Sequence, residues 1–404
     1  MDIDRILRQQ IDQATGSRGI SRRDLLKRGG LLAGAAMGMP AILAACAPDA
    51  PTTGPGDDPS PTPIDTSNIA GSTIKVGTYG GFFEENFRKI YPKFTKEFDV
   101  EVESVSQPTS EVWVVNLQQA IQAGGTPPAD VSMLSGVGLQ RAINGDILAK
   151  YTISDIPESV HLAEGYIKTD GDAIVGVGGL SWYITLVSNT DRVPESESPD
   201  SWAAFWDPKW ENELALLRNA ANSFLLEITA ATFFDGYEIL ETQDGILEVM
   251  NKLAEVKPNV KLWFRDEAQA QSQYNEGEVS LGQFYHDITL FAASEDGGGA
   301  PLRSVFPTEG AILDSGYWSI SKTTENLGAC VTFIDWMCRP DVQQELALTL
   351  GTIPSTKRDT LTMSDADYEV VAGPGPEVAL QPKYEIYDAL EDWIDQNWSE
   401  LILS

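Results

Sequence analysis

From about residue 72 the apolar positions of this chain switch between two periods, and the switching predicts alternating strands and helices. Ile74–Tyr79 is a short apolar run ending in Gly80-Gly81 and reads as a strand. Phe83, Phe87, Ile90, Phe94 and Phe98 follow at helical spacing, with Pro92 expected to kink or interrupt the helix. Val100, Val102 and Val105 suggest a second strand. Glu111–Ala123 reads as a helix closed by Gly124-Gly125, and Val131–Leu134 as a third strand. Strand and helix in this order imply a parallel sheet with helices on its faces.

The rest of the chain continues the alternation. Asp170-Gly171 is a hairpin signal. Ala173–Val177 and Trp182–Ser188 read as strands on either side of Gly178-Gly179, and Phe224–Phe234 and Asp244–Ala254 as helices. Asn275-Glu276-Gly277 introduces a strand at Val279–Phe284, and His286-Asp287 are expected on a strand with side chains on opposite faces. Leu327, Val331, Ile334 and Cys338 line one helix. Pro340 opens another, carrying Val342, Leu346 and Leu350 and stopped by Gly351. Cys330 and Cys338 lie eight residues apart on what reads as one helix, ~12 Å between Cα atoms. A disulfide tolerates less than about 7 Å, so they read as buried apolar groups and not as a bridge or metal site.

The first 46 residues follow a different pattern. Ser21-Arg22-Arg23-Asp24-Leu25-Leu26-Lys27 is a twin-arginine export motif, followed by the small apolar run Leu31–Ala45. The run is too short for an ordinary membrane span and ends in the lipobox Leu43-Ala44-Ala45-Cys46, so residues 1–45 read as a lipoprotein signal peptide. Cys46 is then the lipidated first residue of the mature chain. Residues 46–71 read as a flexible tether, with Pro at 48, 51, 55, 59, 61 and 63. The lipid on Cys46 would anchor the protein to the outer face of the cytoplasmic membrane, in a periplasm or at a cell surface.

Charge narrows the function classes. The 404 residues carry a net charge of −32; residues 1–45 hold seven Arg/Lys and four Asp/Glu, so the mature chain stands at −35. Such acidity repels nucleic acid, keeps an exported protein soluble, and is compatible with a salty habitat. Catalytic signatures are lacking: there are two histidines, His161 and His286, and no His-Glu-x-x-His helix, paired-Cys motif, Gly-x-Ser-x-Gly elbow or phosphate loop. A secreted enzyme remains a distant alternative.

Several motifs resemble the extracellular solute-binding proteins of ABC importers, in particular the spermidine/putrescine-binding branch. They are Tyr79-Gly80-Gly81, Ser201-Trp202-Ala203-Ala204-Phe205-Trp206, and Tyr274-Asn275-Glu276-Gly277-Glu278-Val279-Ser280-Leu281-Gly282. The strongest runs from Pro307-Thr308-Glu309-Gly310 through Phe333-Ile334-Asp335-Trp336-Met337 to Arg339-Pro340-Asp341-Val342. The resemblance covers about residues 72–360. It implies an α/β, two-lobed periplasmic-binding-protein fold of type II, each lobe a mostly parallel sheet flanked by helices, with hinge strands between lobes. Residues 72–178 and 306–355 would form lobe 1, and 179–305 and 356–404 lobe 2, the tail packing back on lobe 2. It also implies a monomer without cofactor or metal that closes over a small-molecule solute and presents it to an ABC permease and its ATPase. A binding protein that feeds a sensor is a variant of the same reading.

Cleft residues of such folds sit on loops at the carboxyl ends of strands. That points to Tyr79, Phe82, Ser135, Trp182, Trp263, Tyr285, Asp287, Tyr317 and Trp318. Aromatic faces attract ammonium groups, worth ~0.5–2 kcal/mol each, and Asp287 would pair with a charged amine. The chain also departs from the polyamine pattern. Acidic residues expected at the start of the second lobe's first helix are replaced by Arg218-Asn219-Ala220-Ala221-Asn222. An acid expected just before the strand that Tyr317 begins is replaced by Ser315-Gly316. Arg218 or Arg265 would suit a carboxylate, as a bidentate donor does. A carboxylated or zwitterionic amine, opine-like or derived from an amino acid, is therefore the alternative ligand class to a polyamine.

Overall fold

The computed structural model describes residues 63–404 apart from 81, 108, 109, 266, 296, 376 and 377. The signal peptide, Cys46 and most of the expected tether lie outside the described residues. Among those described, no helix is long and apolar enough to cross a membrane.

The chain runs β1 (Thr73–Tyr79), α1 (Phe82–Phe98), β2 (Glu101–Gln107), α2 (Ser110–Gln122), β3 (Val131–Ser135) and α3 (Gly136–Asn144). It continues with β4 (Ile167–Asp170), β5 (Ala173–Asn189), β6 (Leu214–Leu217), α4 (Ala220–Ser223), α5 (Leu225–Phe233) and α6 (Gln243–Leu253). Next come β7 (Val260–Phe264), α7 (Glu267–Asn275), β8 (Leu281–Tyr285), α8 (His286–Ala293), β9 (Leu302–Val305) and β10 (Ile312–Ile320). Five helices close the chain: α9 (Leu327–Met337), α10 (Pro340–Leu350), α11 (Asp365–Ala372), α12 (Tyr384–Ala389) and α13 (Glu391–Leu401).

One sheet runs through the body in the order β2-β1-β3-β10-β5-β8-β6-β7, with β4 and β9 paired to β5. As the strand–helix order predicts, β1 is parallel to both β2 and β3; in the second block β6, a strand the apolar pattern does not single out, is parallel to β7 and β8. Between these parallel blocks stand β10 and β5, antiparallel to each other and to their flanking strands β3 and β8. The side chains on the two blocks form separate cores. One gathers residues from Ile74 to Trp182 and from Tyr317 to Leu350, the other residues from Ile184 to Leu281, Ile312, and the tail from Ile386 to Ile402. The cores change hands inside β5, between Trp182 and Ile184, and inside β10, between Ile312 and Tyr317. These two crossing strands make the two-lobed arrangement out of a single sheet.

Four expectations need correction. The two strands expected around Gly178-Gly179 are one strand of 17 residues, buried throughout. Glycine is needed there because a Cβ on Gly178 would stand 2.2 Å from the Tyr166 ring, and one on Gly179 2.7 Å from Trp318 Nε1. Pro92 does not break α1, which runs for 17 residues. Phe87 packs edge-on against Trp318, and Tyr91 and Phe94 against Phe333, which offsets the ~3 kcal/mol that an interior proline costs. His286 and Asp287 open helix α8 instead of extending a strand. The tether ends earlier than residue 71: Ile64 and Ile69 pack on the first core, and Ile64 N–H donates to Asp155 Oδ1 at 2.8 Å.

Cys330 and Cys338 are free and buried, as their spacing implies. Burial pushes the Cys330 thiol up to about 12, and the Cys338 thiol upward as well. Both are expected to resist a thiol-specific reagent in the native protein and to react once urea unfolds it. Rapid labelling of either in native buffer would contradict this packing.

Candidate functional site

The seam between the two cores collects most of the predicted aromatic residues. Tyr79, ending β1, meets Trp182 edge-to-face at 5.8 Å and Phe83 at 5.9 Å. Trp182 lies opposite Asp314 in the β5–β10 pairing, so both side chains leave the sheet on one face. Trp182 is 8% exposed, and its buried indole Nε1 has no hydrogen-bond partner among the described residues. Phe82 opens α1, where only its backbone is described. Ser135 ends β3 and caps α3, its Oγ accepting from Gly138 N–H at 3.3 Å.

Asp314 is the carboxylate at this seam. It is 8% exposed; its Oδ1 accepts Ser315 N–H at 2.8 Å and the Tyr384 hydroxyl at 2.6 Å. Its Oδ2 accepts no hydrogen bond from a described residue. Burial pushes its carboxyl up to about 6, against the pull of those two donors. Ser315-Gly316 still stand where the resemblance implies an acid, and Asp314 is a carboxylate at a different position of the same strand. β10 begins at Ile312, which places Tyr317 in mid-strand and Asp314 inside it.

Tyr384 reaches the same place from the C-terminal segment. Its ring lies against the start of α3, where a Cβ on Gly136 would come within 2.2 Å of it. It also meets Phe224 edge-to-face at 6.3 Å. The end of the tail, from Ile386 to Ile402, packs on the second core, Leu361 and Met363 pack on Ala347 of α10, and Tyr384 reaches into the seam.

The other candidates divide. Tyr317 is 5% exposed, and one face of its ring already receives a cation, Lys168 Nζ at 5.2 Å from the centroid. Burial lowers the Lys168 pKa. Trp318, the next residue, points to the opposite face. It is fully buried between Phe87 and Phe333, at 5.4 and 5.5 Å, and belongs to the core instead of the seam. Tyr285 ends β8 opposite Ile184 and packs against both large cores. Asp287 sits in the first turn of α8, 3% exposed, beside Gly351 at the end of α10. Burial pushes its carboxyl up to about 7, and its Oδ1 has no partner among the described residues.

Arg218 follows β6 and lines a cavity of about 440 Å³ with Arg141, Asn219, Asp395 and Trp398. Arg141 forms an ion pair with Glu391 there, and burial raises the Asp395 pKa. Trp263 and Arg265 are not brought to the seam. Trp263 lies on the edge strand β7, half-buried against the second core, and Arg265 is exposed just beyond it.

Sequence reasoning missed Asp314 and Tyr384. Asp314 had a signal, as the one carboxylate in the apolar and small-residue run Ala311–Ile320. Tyr384 had none, because its position depends on how the tail folds back. Catalytic or metal chemistry gains no support. Ser304 and His286 share a hydrogen bond at 2.8 Å, but the other imidazole nitrogen meets the Val370 carbonyl and no carboxylate. No group of three or more His, Cys, Asp or Glu among the described residues is placed to hold a metal ion.

Known proteins share this architecture. A γ-aminobutyric acid-binding protein of Pseudomonas aeruginosa is 27% identical over 208 residues, 47% of this chain and 56% of that protein. A spermidine/putrescine-binding periplasmic protein of Salmonella typhimurium is 29% identical over 171 residues, 42% of this chain and 47% of that protein. The chain thus spans about half the length of these curated relatives. An ABC transporter substrate-binding protein from Bradyrhizobium japonicum superposes with a TM-score of 0.69 at 19% identity, covering 82% of this chain and 99% of that one. The family model for bacterial extracellular solute-binding proteins matches residues 89–365, more than half of the sequence, and the chain belongs to that family.

Proposed function

We propose that this protein captures a small amine-bearing solute at the seam between its lobes and hands it to an ABC permease. The observation that carries the reading is Asp314. It is a buried carboxylate on a crossing strand, with one oxygen unclaimed among the described residues, beside Trp182 with Tyr79 packed on it. An ammonium placed there gains a charge-assisted hydrogen bond and aromatic faces in a site shielded from water. Relatives named for spermidine/putrescine and for γ-aminobutyrate support the amine in common. A polyamine is the first reading. A zwitterionic amine is the second, favoured by the Arg218 cavity, which sets guanidinium groups near Asp395 and would receive a carboxylate.

In this reading the protein binds without chemistry. The lobes meet inside β5, between Trp182 and Ile184, and inside β10, between Ile312 and Tyr317, and closure about these two strands presents both lobes to the permease. The twin-arginine motif and lipobox support export and a lipid anchor on Cys46.

Thermal unfolding of the protein against putrescine, spermidine, γ-aminobutyrate and a neutral sugar tests the reading. A solute that binds only the folded state adds ~2.7 kcal/mol at a hundredfold excess over Kd. Stabilisation by a diamine supports the polyamine reading; stabilisation by γ-aminobutyrate alone supports the zwitterion. A shift with the sugar and none with any amine would overturn both.

A further inference from the structure

We propose that Tyr384 is a specificity residue of the seam, a fixed partition that limits how long a solute the Asp314 carboxylate can accept. The inference rests on the amine reading above and adds to it the length of the ligand.

Tyr384 touches three parts of the molecule at once. Its ring covers Gly136 at the start of α3 in the first lobe, its hydroxyl donates to Asp314 on the crossing strand, and its edge meets Phe224 in the second lobe. It occupies the space between Gly136, Asp314 and Phe224. Gly136 is required beneath it, because a Cβ there would stand 2.2–2.6 Å from the ring carbons. The hydroxyl also occupies Asp314 Oδ1 together with Ser315 N–H, so an incoming ammonium is directed to Oδ2. A solute held there must turn its other end away from α3, and an added aminoalkyl arm in that direction meets the phenol ring.

The ring is held in place rather than loosely folded in. One residue before it, Lys383 N–H donates to Glu227 Oε1 at 3.0 Å; three residues after it, Tyr387 Oη donates to Glu227 Oε2 at 2.6 Å. Glu227 is fully buried on α5, and its two side-chain oxygens both serve this segment. A carboxyl group buried this deeply is costly unless its partners are fixed. Farther along, Glu391 pairs with Arg141 on α3, which ties the tail to the first lobe as well. A side chain anchored on both sides acts as a wall, and walls discriminate by size.

Calorimetric titration of the full chain and of Tyr384→Ala tests the partition, with putrescine against spermidine and γ-aminobutyrate against 6-aminohexanoate. The wild type is expected to favour the shorter member of the pair it binds. Tyr384→Ala is expected to shift that preference toward the longer member by about tenfold. Tyr384→Leu, which keeps apolar volume over Gly136 but cannot reach Asp314, should shift it the same way by less, and serves if the alanine variant does not fold. An unchanged ratio in both variants, or an equal loss for short and long members, would overturn the partition while leaving the amine reading standing. If the wild type and both variants bind no member of either pair, the amine reading fails and the partition fails with it.

Discussion

Asp314→Asn is expected to weaken amine binding by about a hundredfold at pH 7, the loss of one hydrogen bond to a charged group. Asparagine keeps the shape and one acceptor oxygen, so the seam should stay folded while its attraction for an ammonium disappears. The pH dependence gives a second signature. Burial pushes the Asp314 carboxyl up to about 6, so the carboxylate that an ammonium needs is lost as the pH falls through that value. Wild-type affinity for the amine should therefore drop below about pH 6, and the Asn variant should show no such drop. Stability runs the opposite way. The folded pKa lies above the usual carboxylate value, so the fold prefers the protonated form and loses stability as pH rises from about 4 to about 6. Asp287, pushed up to about 7, contributes with the same sign over a wider range, so only the difference between wild type and Asp314→Asn isolates one group. Isothermal titration at pH 5 and pH 8 reads the binding. Wild-type affinity in the Asn variant at pH 8 would remove Asp314 from the site.

The parts of the fold that could be read from sequence were those set by local periodicity. The first three strands and two helices, the Asp170-Gly171 hairpin and the pair α9–α10 lie within a few residues of where apolar spacing puts them. Failures came where tertiary packing outweighed a local rule. Gly178-Gly179 signals a break, yet Tyr166, Met133 and Trp318 crowd that stretch so closely that glycine is what lets β5 pass. Pro92 signals a kink or an interruption, and α1 runs on uninterrupted through it, its aromatic face held by Phe333 and Trp318. Ile64 and Ile69 are two apolar positions in a proline-rich tether, too few for a periodic signal, but enough to dock against the first core.

The site was legible only in part, for a related reason. Residues that end strands could be nominated from the alternation, and Tyr79, Ser135, Trp182 and Tyr285 do end strands or lie at the crossing. Which face a residue takes depends on register. Tyr317 and Trp318 are sequence neighbours, and the β10–β3 register puts Lys168 over the ring of the first and packs the second between Phe87 and Phe333. Asp314 lies outside the strand that the sequence pattern starts at Tyr317, whereas β10 begins five residues earlier, at Ile312, and carries it. No local pattern could bring Tyr384 to Gly136, a contact between residues 248 positions apart.

Glu227 is where the largest loss of stability is expected. Glu227→Ala leaves the Tyr387 hydroxyl and the Lys383 N–H without their acceptor and opens a void between α5 and the tail. Each buried donor left unpaired costs about 1–3 kcal/mol and the void adds to this, together a large share of the stability of an ordinary domain. Glu227→Gln should behave differently. It retains an acceptor for Lys383 N–H and removes a group whose pKa burial raises, so its stability above neutral pH should equal or exceed that of the wild type. The sign follows from linkage: a carboxyl with a raised folded pKa penalises the fold increasingly as pH climbs above its ordinary value, and the amide has no such penalty. Urea unfolding at pH 8 separates the two variants. An alanine variant within about 1 kcal/mol of wild type would mean that the tail is held by Ile386, Ile394 and Trp398 alone. A large loss confined to alanine would show that this buried acid fixes the segment carrying Tyr384, and therefore that the shape of the binding seam depends on a residue buried on α5.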